Sequence, residues 1–125
     1  MVSQPRFVIL EDHPLVREAL ADRLVLHLGD IQLVYVGDSV SSALSAIDQY
    51  GAECIVLDLD LNDSVSPIVN VVSLAETGVP VLIVSALGDG TTIRAAFAAG
   101  VTGYISKSAE PEEFVIAIEA ALRGD

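Results

Sequence analysis

The chain has 125 residues, of which 52% are hydrophobic, and a net charge of −12. This size fits one domain with a substantial buried core, and the apolar content excludes a disordered chain. The 6 basic residues argue against a nucleic-acid-binding surface, and the apolar runs fall far short of the ~20 residues that a membrane-spanning helix needs.

Short apolar runs alternate with amphipathic patterns along the whole chain. Runs of aliphatic and β-branched residues predict buried strands, and apolar residues at spacings of three and four predict helices. In chain order, we predict a strand at 7–10, a helix at 14–28, a strand at 31–36, a helix at 39–50, a strand at 54–57, a helix at about 65–76, a strand at 81–84, a helix at 91–99, a strand at 102–105 and a helix from Pro111 to just before Gly124.

These five strand–helix units predict an α/β fold built on a parallel sheet. Parallel neighbours need crossover connections, and the crossover helices cover both faces, so the sheet is doubly wound. In folds of this type, ligands bind beyond the carboxyl ends of the strands. The residues just past each strand are therefore the candidates for a functional site.

Polar side chains follow every predicted strand. In strand order they are Glu11 and Asp12, then Asp38, then Asp58, then Ser85 (followed by Ala86), and finally Ser106 and Lys107. Lys107 is the only lysine of the chain. Because the carboxyl ends of parallel strands meet at one end of the sheet, we expect carboxylates, hydroxyls and one ammonium group to converge there.

This set of side chains suits the phosphorylation of an aspartate. Converging carboxylates repel one another unless a cation bridges them, and an all-oxygen site suits Mg²⁺. A carboxylate can attack phosphorus, and phosphoryl transfer needs positive charge around the transferred oxygens. Lys107 and the metal would supply that charge, and Ser85 would donate a hydrogen bond to one of those oxygens.

The order and spacing of four motifs resemble those of the receiver domains of bacterial response regulators. The motifs are Glu11-Asp12-His13-Pro14, Val56-Leu57-Asp58-Leu59, Ile83-Val84-Ser85-Ala86 and Gly103-Tyr104-Ile105-Ser106-Lys107. The resemblance covers nearly the whole chain. The residues that follow Pro14, together with the segment 98–107, are most similar to the NarL/FixJ-like, LuxR-type subfamily.

The resemblance implies a fold and a phosphorylation site. The fold would be flavodoxin-like and CheY-like, with five strands in the order 2-1-3-4-5. Asp58 would be the phosphoacceptor. Mg²⁺ or Mn²⁺ would be held by Asp12, Asp58 and the backbone carbonyl of Asp60, with Glu11 acting through water.

The resemblance also implies how the phosphoryl group is bound and sensed. Ser85, Ala86 and Lys107 would bind it. Ser85 and Tyr104 would form a switch pair, in which the hydroxyl moves toward the phosphoryl group and the ring turns inward. Tyr104 fits an ordinary packing role in its strand equally well.

The implied setting is a two-component system. A cognate histidine kinase would supply the phosphoryl group, and the domain would only assist its own phosphorylation and dephosphorylation. Residues 1–125 would form one cytoplasmic receiver domain, the N-terminal part of a transcription regulator with a C-terminal helix-turn-helix domain. That second domain would bind DNA, whereas this one would contact neither DNA nor a membrane. A homodimer on phosphorylation is a further expectation.

Two loops depart from the family pattern. Residues 61–67 replace the usual Met-Pro and glycine after the acceptor, and Ser108 stands where a proline usually follows the lysine. Asp60 and Leu87 occupy positions that tend to tune the lifetime of the phosphoryl group. The position of His13 beside the acidic pair could indicate a metal ligand. In a helix that starts with proline, His13 is instead interpreted as a residue of the helix start without a role in the chemistry.

Two other functions stay open at this point. Asp58 and Asp60 also resemble the nucleophile motif of haloacid-dehalogenase-like phosphohydrolases. That family needs another acidic pair after the lysine, where only Glu110, Glu112 and Glu113 remain, at the start of a helix. The other alternative is a phosphorylation-independent interaction module, which the unusual loop after Asp58 keeps open.

Overall fold

The computed structural model describes residues 4–61, 65–86 and 90–124. The strands are β1 (Arg6–Leu10), β2 (Gln32–Gly37), β3 (Cys54–Asp58), β4 (Val81–Ser85) and β5 (Gly103–Ser106). The helices are α1 (Pro14–Leu28), α2 (Val40–Tyr50), α3 (Pro67–Ala75), α4 (Gly90–Ala99) and α5 (Pro111–Arg123). Every predicted element is confirmed, with ends that coincide or differ by at most two residues.

The strands form one parallel sheet in the order β2-β1-β3-β4-β5, as the family resemblance implied. Successive residues of a strand point to opposite faces. In β1, Val8 and Leu10 pack on the side covered by α2, α3 and α4, whereas Phe7 and Ile9 pack on the side covered by α1 and α5. Strands β1, β3 and β4 are therefore buried on both faces, which explains their continuous apolar runs.

Serine caps fix the starts of two helices. The Ser39 side chain accepts a hydrogen bond from the Ser42 N–H at 3.2 Å, before α2. Ser66 caps α3, and Pro67 occupies its first turn, where the missing N–H carries no cost. The sequence pattern left the start of α3 open because its apolar residues extend past this cap. Within the described ranges, each helix lacks either the length or the apolar character of a membrane span.

Candidate functional site

The strands bring the predicted site residues to one end of the sheet, which we call the carboxyl end. Asp58 and Ser85 are the last residues of β3 and β4, and Glu11 and Lys107 directly follow β1 and β5. Backbone hydrogen bonds continue past the strands: the Glu11 N–H donates to the Gly37 carbonyl and the Lys107 N–H to the Ser85 carbonyl, each at 2.9 Å. The sheet itself therefore positions these residues.

Three carboxylates and one ammonium group meet at the carboxyl end of the sheet. Glu11 and Asp58 are buried, with exposed fractions of 0% and 2%, and the Asp12 side chain is 16% exposed. The Lys107 Nζ lies 2.8 Å from Glu11 Oε1 and 3.3 Å from Asp58 Oδ2. Among the described residues, Lys107 is the only lysine or arginine paired with these carboxylates, so negative charge remains in excess.

The two buried carboxyl groups differ in pKa. Burial raises the pKa of Asp58 to about 6; the Asp60 N–H opposes this rise, and the Glu11 carboxylate adds to it. Burial also acts to raise the pKa of Glu11, but Lys107, Asp58 and His13 outweigh it and lower that pKa to about 2. Asp58 is therefore the more basic of the two carboxyl groups.

Three buried carboxylate oxygens accept no hydrogen bond from the described residues: Glu11 Oε1, Asp12 Oδ1 and Asp58 Oδ2. Two of them lie within ion-pair distance of Lys107 Nζ, but without hydrogen-bond geometry. Buried acceptors without donors are costly, and carboxylate oxygens are the ligands that Mg²⁺ and Mn²⁺ prefer. The residues present therefore fit a divalent cation.

His13 lies inside this cluster, contrary to the interpretation of it as a helix-start residue alone. It does occupy the N-cap position of α1, but its side chain makes no capping hydrogen bond. Its Nδ1 lies 3.1 Å from Glu11 Oε2 and 3.0 Å from Asp12 Oδ1. The hydrogen bond with Glu11 is the main cause that raises the pKa of His13. Its position next to the acidic pair was the available signal in the sequence.

A cavity of about 310 Å³ adjoins Asp58 and has room for a phosphoryl group. The predicted phosphoryl-binding residues Ser85, Ala86 and Lys107 line it. Ser85 is buried and Ala86 is exposed. Thr92, in the first turn of α4, also lines the cavity and was not among the sequence candidates. A threonine near a helix start is too common a pattern to have singled it out.

Asp60 contacts the site through its backbone. Its N–H donates a hydrogen bond to Asp58 Oδ1 at 3.1 Å, and its side chain is exposed. This bond holds one carboxylate oxygen of Asp58, while the other, Oδ2, lies 3.3 Å from Lys107 Nζ. The role of the Asp60 carbonyl as a metal ligand stays a prediction, and so does any effect of Asp60 on the lifetime of a phosphoryl group.

The predicted switch residue Tyr104 is half-buried and packs on the side of the sheet covered by α2, α3 and α4. Both the packing role and the switching role are compatible with this position. Ser108, which replaces the family's proline, donates its N–H to Ser106 Oγ at 3.2 Å in a turn before α5. Leu87 and residues 62–64 of the acceptor loop lie outside the described residues.

The sequence matches the response regulator receiver domain family over residues 7–119. It is 32% identical over 123 residues to the glycerol metabolism activator of Pseudomonas putida, with 96% of this chain and 55% of that protein covered. It is 29% identical over 119 residues to the nitrate/nitrite response regulator protein NarP of Escherichia coli, with 94% and 54% covered. The chain thus spans about half the length of these relatives.

A solved structure is similar over almost the whole chain. It is a two-component response regulator of the LuxR family from an Aurantimonas species, with a TM-score of 0.84, 29% sequence identity, and coverage of 98% of this chain and 87% of that one. The predicted fold and the NarL/FixJ-like, LuxR-type resemblance are confirmed.

Proposed function

The chain belongs to the response regulator receiver domain family, and on that premise we propose that Asp58 accepts a phosphoryl group from a cognate histidine kinase. The observation that carries this proposal is the Asp58 carboxylate itself. It is buried, its pKa is raised to about 6, and together with Lys107, 3.3 Å away, it lines a cavity with room for a phosphoryl group.

In the proposed step, the Asp58 carboxylate attacks the phosphorus of a phosphohistidine. A phosphorus–oxygen bond forms, the phosphorus–nitrogen bond breaks, and its electron pair returns to the imidazole of the kinase. The Lys107 ammonium, already 3.3 Å from Asp58 Oδ2, compensates the added negative charge. Ser85 and Ala86 line the cavity and would donate hydrogen bonds to the phosphoryl oxygens, Ser85 from its hydroxyl and Ala86 from its N–H.

We further propose that the site takes Mg²⁺ or Mn²⁺. Asp12, Asp58 and the backbone carbonyl of Asp60 would hold it, with Glu11 acting through water. The three buried carboxylate oxygens that accept no hydrogen bond from the described residues support this assignment. When bound, the cation supplies positive charge to the phosphoryl oxygens. The domain would thus assist its own phosphorylation and dephosphorylation, without turnover of other substrates.

The added charge would then bias a two-state equilibrium. Lys107 and Ser85 would move toward the phosphoryl group, and Tyr104 would turn inward. The surface formed by α4, β5 and α5 would carry the change to a partner or to a second copy. In NMR spectra, phosphorylation should shift signals across that surface; shifts confined to the residues around Asp58 would contradict the switch.

The length of the relatives supports a proposal about the whole protein. Because the chain spans about half of each curated relative, we propose that the native protein continues into a C-terminal helix-turn-helix domain that binds DNA. It would regulate transcription in the cytoplasm, and this domain would contact neither DNA nor a membrane. Reading the native gene product beyond Asp125 tests this directly.

Incubation with Mg²⁺ and acetyl phosphate tests the acceptor. Intact-mass spectrometry should show the gain of one phosphoryl group in the wild type and in Asp60→Asn, whose side chain is exposed. Asp58→Asn should gain none. An unmodified wild type would favour the interaction module, and repeated turnover of a phosphoester would favour the phosphohydrolase.

A further inference from the structure

His13 brings a nitrogen donor into the carboxylate cluster. Its backbone N–H donates to Glu11 Oε2 at 3.1 Å, and this bond holds residue 13 against the cluster. Its ring Nδ1 lies 3.1 Å from the same oxygen and 3.0 Å from Asp12 Oδ1. Together with Asp58, these side chains offer one donor atom each, all within 4.8 Å of one another.

One proton on Nδ1 cannot satisfy both neighbouring oxygens. The hydrogen bond joins Nδ1 to Glu11 Oε2. Asp12 Oδ1 is equally close, yet it is buried and accepts no hydrogen bond from the described residues. Glu11 Oε1 and Asp58 Oδ2 also accept no hydrogen bond from the described residues. Both belong to side chains that are more than nine-tenths buried. A cation that takes electron pairs from nitrogen and oxygen together would satisfy the whole group.

The excess negative charge of the carboxylate cluster also favours a divalent cation. The carboxylates of Glu11, Asp12 and Asp58 lie in a cluster with the ammonium of Lys107, which pairs with Glu11 and Asp58. With these four groups ionised and the His13 ring neutral, as a metal ligand must be, two negative charges stay uncompensated. Donors bound to one small cation lie at most ~4.2 Å apart, twice a metal–oxygen bond of about 2.1 Å. The four donor atoms here, which lie within 4.8 Å of one another, would need to move only slightly closer together to bind one cation.

We propose that His13 Nδ1 is a metal ligand, which makes this a mixed nitrogen–oxygen site that prefers a first-row transition ion to Mg²⁺. The inference builds on the metal site of the proposed function and adds an imidazole ligand to it. Oxygen-only sites suit Mg²⁺, whereas imidazole favours transition ions in the Irving–Williams order. Binding replaces the hydrogen bond between Nδ1 and Glu11 with a bond to the metal. The Nδ1 proton exchanges through solvent, and the neutral ring then carries its one proton on Nε2.

His13→Ala tests this proposal, with His27→Ala as the matched control. His27 is the other histidine of the chain and is exposed in the last turn of α1. Because the His13 side chain is 66% exposed, its removal should leave the fold intact, which circular dichroism would verify. Pulsed EPR of bound Mn²⁺ reports directly bound nitrogen. The coupling should be present in the wild type and His27→Ala and absent from His13→Ala.

Calorimetric titrations give the second readout. The affinity for Co²⁺ should fall by about tenfold or more in His13→Ala, while the affinity for Mg²⁺ should change by less than about threefold. A wild type without nitrogen coupling, or an equal loss for both ions, would overturn the proposal. Phosphorylation by acetyl phosphate in Mg²⁺ separates this proposal from the proposed function. If the wild type shows nitrogen coupling but acetyl phosphate does not phosphorylate it, the phosphoacceptor function is refuted and the metal-ligand role of His13 stands.

Discussion

The two ends of the sheet carry charged side chains in different arrangements. At the amino end, Arg6 and Glu53 form a matched pair, in which the Arg6 N–H and Nε donate to Glu53 Oε1 at 2.7 and 3.0 Å. The Arg6 Nη1 donates to the Tyr50 carbonyl at 2.6 Å. At the carboxyl end, Glu11 and Asp58 share the ammonium of Lys107, and Asp12 lies beside them. One oxygen of each of these three carboxylates accepts no hydrogen bond from the described residues.

The difference separates stabilising charges from functional ones. A matched pair near the surface adds a little stability and needs no ligand. A buried excess of one charge lowers stability until a ligand compensates it, and proteins retain such clusters where a reaction uses them. On this account, changes at the carboxyl end alter stability strongly and in either direction, whereas changes at the amino end cause small losses.

Loss of the Lys107 ammonium should have the largest effect. At pH 8 without divalent cations, Lys107→Met should lower the free energy of unfolding by about 2–4 kcal/mol, because the buried carboxylates lose their paired cation. The loss should shrink toward pH 5 as Asp58 becomes protonated. Urea unfolding measures both, and Lys107→Arg serves as the charge-retaining control. A loss below ~1 kcal/mol at pH 8 would contradict the account.

Asp58→Asn should raise the free energy of unfolding at pH 8, whereas Lys107→Met should lower it. The pKa of Asp58 is raised to about 6 in the folded protein, above its value of about 4 in the unfolded chain. This carboxyl group therefore favours folding while protonated and loses that contribution as pH rises through about 6. At pH 8 without divalent cations, asparagine should stabilise by ~1–3 kcal/mol, and the gain should vanish near pH 4. If Asp58→Asn is less stable than the wild type at pH 8, the buried carboxylates do not carry an excess of negative charge.

The sequence predicted those parts of the molecule that depend on local pattern. Strands buried on both faces appear as apolar runs, and residues just past parallel strands must meet, which located Glu11, Asp58 and Lys107. His13 was interpreted as a residue of the helix start alone, because the sequence does not show the contacts of its ring with Glu11 and Asp12. The difference in pKa between Glu11 and Asp58 could not be predicted from the sequence either, because it depends on burial and on distances to Lys107.

Magnesium should have an intermediate effect, confined to the carboxyl end. At 10 mM Mg²⁺ and pH 8, the free energy of unfolding of the wild type should rise by about 1–2 kcal/mol. This gain is expected when the ligand concentration is about tenfold higher than the Kd. Asp12→Asn should gain much less, and Glu53→Gln as much as the wild type. Equal gains in all three proteins would mean that the cation acts elsewhere.

Glu53→Gln should have the smallest effect. Its hydrogen bonds with Arg6 lower the pKa of Glu53 in the folded protein. The stability it contributes is therefore present above its unfolded pKa and lost as pH falls through the folded one. The variant should lose ~0.5 kcal/mol at pH 7, and this difference should shrink as pH falls below the unfolded pKa of Glu53. A loss as large as that of Lys107→Met would remove the contrast between the two ends.

Chemical mapping of the acceptor tests the central claim most directly. The protein would be phosphorylated with acetyl phosphate and Mg²⁺ and then reduced with borohydride, which converts an aspartyl phosphate to homoserine. Peptide mass spectrometry then locates the modified residue. The account predicts homoserine at position 58 alone. Homoserine at Asp12 or Asp60, or its absence from the whole chain, would contradict it.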